Sequence, residues 1–227
     1  MSEVELYSYA ACPFAQRTRM VLSEKGIDFT LTEIDVYNKP EGWEKISPYG
    51  KVPCLIHNGG TIYESTIINE YLDEEFPEPP LLPAGVLARA QARIWIHYCE
   101  NKFLPAAHNL MGERDDEEKR HHNLGKIYDI LHFMEYEGMR KLGDGPYWFG
   151  DEPTLVDFQF LPFFERFCVY EELAGLEWPK DCSRLKEWFA AMSQRKSVSP
   201  TMRPLDYHLE QRRKRAEQTS RTVRTGT

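Results

Sequence analysis

The segment Val52-Pro53-Cys54-Leu55-Ile56-His57-Asn58-Gly59-Gly60-Thr61-Ile62-Tyr63-Glu64-Ser65 decides the fold. Asn58-Gly59-Gly60 separates Val52–His57 from Thr61–Tyr63 and predicts two antiparallel strands closed by a tight turn, because Asn and Gly accept the positive φ that such turns need. Glu64-Ser65 then opens a helix carrying Ile67, Ile68, Tyr71 and Leu72 at helical spacing. Toward the N-terminus, Val4–Tyr9 reads as a strand, and Pro13–Lys25 as a helix closed by Gly26 at the left-handed position after its end. Phe29–Asp35 reads as a second strand, with Phe29, Leu31 and Ile34 expected to turn inward.

This β-α-β then β-β-α order joins a parallel pair to an antiparallel hairpin, the arrangement of a thioredoxin-like half. Phe76-Pro77-Glu78-Pro79-Pro80 through Pro83 is a proline-rich linker, after which strand signals vanish. Leu87, Ala90, Ile94 and Tyr98, then Leu124, Ile127, Leu131 and Met134, follow helical spacing. Glu113–Arg120 reads as a charged loop or helix start, Thr154–Asp157 has capping-box form, and Leu185, Trp188, Phe189 and Met192 make a further apolar face. The expected fold class is α/β plus all-α: a thioredoxin-like domain over 1–76, a linker over 77–86, an all-helical domain over 87–210 and a basic tail over 211–227. That tail sets six cations (Arg212, Arg213, Lys214, Arg215, Arg221, Arg224) against Glu217, with Val223 its one apolar anchor, and is expected to be frayed and disordered.

The 227 residues are 41% hydrophobic and 28% charged with a net charge of −8, which fits a globular protein and argues against general nucleic-acid binding. Lacking any run of about 18–20 apolar residues, the chain has no candidate membrane span. Met1-Ser2-Glu3-Val4-Glu5 is acidic and enters structure at once, unlike a signal peptide. Cys12, Cys54, Cys99, Cys168 and Cys182 are odd in number, scattered, and free of any CxxC pair. No disulfide framework or structural zinc site is therefore expected, and the chain reads as reduced and cytoplasmic. Cys54, Cys99, Cys168 and Cys182 are expected to be buried small apolar side chains.

Cys12 differs by position. It lies between a strand and a helix whose first residue is Pro13, so its sulfur faces the free N–H groups of a helix N-terminus, where a thiolate is favoured. Pro53 inside a strand pattern belongs at a strand start, edge or bend, and a cis Val52–Pro53 bond would expose the Val52 peptide edge to an extended ligand. Ser65 is expected as the N-cap of its helix, where free N–H groups and the hydroxyl bind a carboxylate, while Glu64 accepts from an ammonium. A carboxylate and an ammonium on one carbon describe the free end of a γ-glutamyl group. Lys39, in Asn38-Lys39-Pro40, is positioned to neutralise a second carboxylate. Thiolate, peptide edge, amino-acid clamp and cation together describe a site for glutathione.

Cys-Pro-Phe-Ala-Gln-Arg-Thr-Arg, Asn-Lys-Pro, Val-Pro, Tyr-Glu-Ser and Tyr-Leu-Asp, in this order, resemble the cytosolic glutathione transferases, and most nearly the omega class and its bacterial relatives. Trp148-Phe149-Gly150, Leu155-Val156-Asp157 and Pro162–Arg166 extend the resemblance through the helical half to about Tyr207. The resemblance implies that Cys12 is the catalytic thiol and that Phe14 offers its backbone to glutathione. It likewise implies that Lys39 meets the glycyl carboxylate, Val52 pairs with the cysteinyl backbone and Pro53 is the family's cis-proline. Glu64 and Ser65 would hold the γ-glutamyl end. Phe163, where the omega pattern commonly has Trp, and Arg166 would border the second-substrate pocket. A homodimer is also implied.

The expected reaction is thiol transfer to and from glutathione as co-substrate, with no metal. Ala15 stands where a CxxC motif has its second cysteine, so the cycle is monothiol. A Tyr- or Ser-dependent transferase would instead conjugate glutathione, but strand alternation sends Tyr7 and Tyr9 along one face into packing. Two rivals share the fold. Asn69–Pro77 and Pro80–Pro83 also resemble stringent starvation protein A, a non-enzymatic regulator bound to RNA polymerase, whose members usually lack Cys-Pro-Phe. Chloride intracellular channel proteins share that start, but nothing here favours membrane insertion.

Overall fold

The computed structural model describes residues 3–225, with side chains through 218. Met1 and Ser2, and the side chains of Arg221, Val223 and Arg224, lie outside this description. The first half runs β1 (Val4–Ser8), α1 (Pro13–Glu24), β2 (Thr30–Glu33), α2 (Trp43–Ile46), β3 (Cys54–His57), β4 (Gly60–Tyr63) and α3 (Ser65–Glu75). The sheet order is β2-β1-β3-β4, with β1 parallel to β2 and antiparallel to β3. His57 pairs with Gly60, so the hairpin loop is Asn58-Gly59 alone, with φ of 51° and 74°. Two successive positive φ values give the hairpin a turn whose twist matches its strands. Together these form the predicted thioredoxin-like unit.

Leu31 departs from expectation. It pairs in register with the fully buried Leu6, yet is 45% exposed on β2, the edge strand of the sheet. The short α2 carries no periodic signal. Its buried Trp43 packs under Tyr7, ring centroids 5.5 Å apart, in a small cluster with Ile34 and Cys54.

The second half is helical: α4 (Val86–Tyr98), α5 (Leu104–Gly112), α6 (Glu117–Phe133), α7 (Arg140–Leu142), α8 (Leu155–Glu165), α9 (Phe167–Ala174), α10 (Ser183–Ser193) and α11 (Leu205–Thr225). π-helical turns at Cys99–Phe103 and Met134–Met139 join α4 to α5 and α6 to α7. Every residue of α8 is buried. Asp157 closes the N-terminus of α8 by accepting from Thr154 N (2.6 Å), Thr154 Oγ1 (2.9 Å), Trp148 N (3.1 Å) and Trp188 Nε1 (2.8 Å). That is the predicted capping box, extended to two tryptophans. Asp116 likewise caps α6 by accepting from Lys119 N, making 117 onward the helix start.

The linker is tied down at Pro79 and Leu81. Buried Lys25 donates to Asp73 Oδ1 (2.8 Å) and Pro79 O (2.6 Å), Leu81 N donates to the same carboxylate, and Leu155 N donates to Leu81 O. Over 211–225 the basic segment is helical, which corrects the expectation of a disordered tail there. It continues α11, and its first residue, Gln211, accepts from Tyr9 Oη at 2.9 Å. Cys168 is half-buried rather than buried, and all five thiols are free.

Candidate active site

Cys12 is the N-cap residue of α1 and Pro13 is its first helical residue. Cys12 N donates to Tyr9 O (2.9 Å) and Cys12 O accepts from Gln16 N (3.0 Å), which fixes the turn between β1 and α1. The Val52–Pro53 bond is cis, and Val52 O lies 3.7 Å from Cys12 Sγ. The sulfur thus sits between a helix N-terminus and the peptide edge leading into β3.

Burial pushes the Cys12 thiol above its ordinary value of 9.0, against the N–H groups of Ala15 and Phe14 and the charges of Arg166 and Arg19, all of which pull it down. The helix terminus is therefore aimed at the sulfur as predicted, but in the free protein it does not outweigh desolvation. This corrects the expectation of a favoured thiolate.

Glu64 has φ 69° and ψ 113°, a left-handed backbone rare for a residue with a side chain. Such a conformation costs about 1–3 kcal/mol and is held by its surroundings. Glu64, not Ser65, occupies the N-cap position of α3, and no side chain caps that helix. Ser65 is the first helical residue, and its hydroxyl accepts from Arg17 Nη1 at 3.2 Å. A cavity of about 410 Å³ opens here, bordered by Phe14, Glu64, Ser65 and Thr66 and by Arg93 and Glu100 across the groove. Uncapped N–H groups beside two carboxylates suit a ligand carrying both a carboxylate and an ammonium.

Lys39 is exposed, and its Nζ lies 3.5 Å from where a Cβ on Gly50 would stand, in the loop leading to Val52. Phe14, 37% exposed, meets Phe163 edge-on with centroids 5.7 Å apart. Arg166 donates to Ala11 O (3.1 Å), Gln16 Oε1 (3.1 Å) and Pro162 O, bracing the turn that carries Cys12. Tyr9 is pushed up to about 12, chiefly by burial, and is bonded to α11; Tyr7 packs on Trp43. Both tyrosines pack as strand alternation predicts.

Arg17 escaped sequence reasoning. Its fully buried guanidinium donates to Glu100 Oε1 (2.6 Å), Ser65 Oγ and Gln159 O (3.0 Å), and stacks on Phe14 and Phe163 at 5.0 and 4.8 Å. One cation therefore links the serine of α3 to both rings and to the helical half. Its position in Gln16-Arg17-Thr18-Arg19 gave no sign of which arginine would turn inward.

Residues 6–80 match the family model for the glutathione S-transferase N-terminal domain, and 137–191 that for the C-terminal domain. Glutathione S-transferase U19 of Arabidopsis thaliana is 33% identical over 205 residues, covering 88% of this chain and 90% of that one. The chain belongs to the glutathione S-transferase family. Among solved structures, glutathione transferase Omega 3C from Trametes versicolor superposes with a TM-score of 0.81 at 30% identity, covering 89% of this chain and 90% of that one. A rice glutathione transferase solved in complex with glutathione gives 0.81 at 30%, with 94% and 97% covered. Omega-class and plant U-type transferases both stand among the structural neighbours, and U-type transferases among the sequence relatives. Glutathione is the co-substrate of this glutathione transferase. Among the described residues, no helix is long and apolar enough to cross a membrane.

Proposed function

We propose that this glutathione transferase is a cytoplasmic thiol transferase in which Cys12 forms a mixed disulfide with glutathione. The observation that carries the reading is the placement of Cys12 Sγ at the start of α1, 3.7 Å from the Val52 carbonyl. The Cys12 thiolate attacks the glutathionyl sulfur of a mixed disulfide, forming Cys12–S–SG and releasing the other thiolate. A second glutathione thiolate then attacks that glutathionyl sulfur, giving oxidised glutathione and regenerating Cys12. Glu64 and Ser65 hold the γ-glutamyl end, Val52 pairs with the cysteinyl backbone beside cis-Pro53, Phe14 adds a backbone contact and Lys39 meets the glycyl carboxylate. Phe163 and Arg166 border the second substrate. A raised thiol is less often ionised at neutral pH, but its thiolate is the stronger nucleophile, since reactivity rises with basicity.

The same raised thiol favours a second reading, conjugation. There Cys12 stays protonated and donates to the sulfur of bound glutathione, which attacks an electrophilic carbon. The U-type relatives support this alternative. Intact-mass spectrometry after exposure to oxidised glutathione separates the two. One added glutathionyl group in the wild type, absent from Cys12→Ala, supports thiol transfer; an unmodified wild-type chain that conjugates an aromatic halide supports conjugation.

The chain is also proposed to form a homodimer through α3 and α4, where Ile67, Val86, Leu87 and Ile94 leave large apolar side chains mostly exposed.

A further inference from the structure

We propose that His132, Asp181 and Cys182 form a binding site for a borderline-soft divalent cation of the zinc type, separate from the Cys12 site. His132 stands on the last turn of α6, and Asp181-Cys182 immediately precede α10. One ligand atom from each, an imidazole nitrogen, a carboxylate oxygen and the sulfur, lies within 4.8 Å of the others. Among the described residues this is the one such group.

A tetrahedral zinc ion with bonds of about 2.0–2.3 Å holds its ligand atoms roughly 3.3–3.8 Å apart. His132 Nε2 and Asp181 Oδ1 are already 3.2 Å apart. The longest separation needs a contraction of about 1 Å. The His132 and Asp181 side chains, 41% and 54% exposed, can supply it by rotating at the surface, and solvent provides the fourth ligand. Nitrogen, oxygen and sulfur from three side chains plus one water match zinc rather than calcium or magnesium, which take oxygen ligands.

The surroundings suit a cation. The carboxylates of Glu135 and Asp181 both lie close to the Cys182 sulfur. Glu135 does not compete as a ligand. Its oxygens accept from Arg184 N, Leu185 N and Arg140 Nε, which also satisfies the positive end of α10. Tyr136 Oη donates to Asp181 Oδ2 at 3.3 Å, an outer contact that orients the carboxylate. Arg140, bonded to the Asp181 carbonyl, and Lys186 are the opposing cations; they lower affinity without occupying the ligand atoms. On binding, the Cys182 S–H bond breaks, the proton passes to buffer and a metal–sulfur bond forms, so affinity rises with pH.

Titration of the full chain, reduced and free of glutathione, with zinc or cobalt(II) tests the site. One equivalent is expected to bind, at least tenfold more weakly in His132→Ala and in Asp181→Asn, and unchanged in Cys12→Ser. Both weakened variants alter exposed side chains, so folding is preserved. Cobalt is expected to show a thiolate charge-transfer band that Cys182→Ser removes. Wild-type affinity in His132→Ala and Asp181→Asn, loss of binding in Cys12→Ser, or no binding to the wild type overturns the proposal.

Discussion

Cys12 is the residue at which two physical effects compete, and burial wins over the helix terminus in the free protein. Its alkylation rate should therefore climb through and beyond pH 9, and Arg166→Gln should move that profile higher still by removing a charge that favours the thiolate. A stopped iodoacetamide reaction followed by mass reads both; a wild-type midpoint well below the ordinary thiol value contradicts the balance drawn here. Glu64→Gly relieves the left-handed backbone while deleting the carboxylate. The melting temperature should hold or rise while KM for glutathione rises about tenfold, the weight of one charge-assisted hydrogen bond of about 1.4 kcal/mol. Unchanged KM in steady-state kinetics would remove Glu64 from the γ-glutamyl clamp. The element ends at Cys12, Val52-Pro53 and Glu64-Ser65 were legible because strand and helix boundaries are local signals. Arg17 was not, because its partners Glu100 and Gln159 lie 83 and 142 positions away and periodicity does not say which helices meet.

At the scale of elements, two buried carboxylates hold α8 in place. Asp157→Ala strands the Trp148, Thr154 and Trp188 donors in a dry core, so it should cost about 3 kcal/mol or more, lowering the melting temperature by roughly 6–12 °C in a calorimetric scan. A loss under 1 °C would mean that these donors find other partners. Glu165 joins α8 to α1 and α11, accepting from His208 Nε2 (2.9 Å), Arg203 N (3.0 Å) and Gln16 Nε2. Burial raises its pKa, but His208, Arg166, Gln16 and the Arg203 N–H outweigh it and leave the carboxyl below the ordinary 4.5. A depressed carboxyl stabilises the fold above its unfolded value, and that stability is lost as pH falls through the lower, folded value. Glu165→Gln should thus flatten the acid limb of the stability curve below pH 4.5, as urea denaturation at several pH values would show; an unaltered acid limb contradicts this. The hairpin and the α8 cap were readable because Asn-Gly and Thr-x-x-Asp encode their own geometry. The helix of 211–225 was not, because a polar segment shows no apolar stripe, and its anchor, Tyr9, is 202 positions away.

In the molecule as a whole, the thioredoxin-like half sets Cys12 beside the Val52 carbonyl and borders a groove with Phe14, Glu64 and Ser65. The helical half lines that groove with Arg93 and Glu100, while Phe163 packs on Phe14 and Arg166 bonds the Ala11 carbonyl. The exposed apolar side chains of α3 and α4 lie outside this groove and predict a particle of twice the 26.6 kDa chain mass by light scattering at micromolar concentration, which Ile67→Glu with Ile94→Glu should split. A monomeric wild type would contradict that expectation without touching the chemistry. The chemistry itself is tested most directly by glutathione-dependent reduction of a small glutathionyl mixed disulfide, measured for wild type and Cys12→Ala. Turnover by the wild type and a loss of at least a hundredfold in Cys12→Ala is the predicted result; equal turnover by both would contradict Cys12 as the nucleophile.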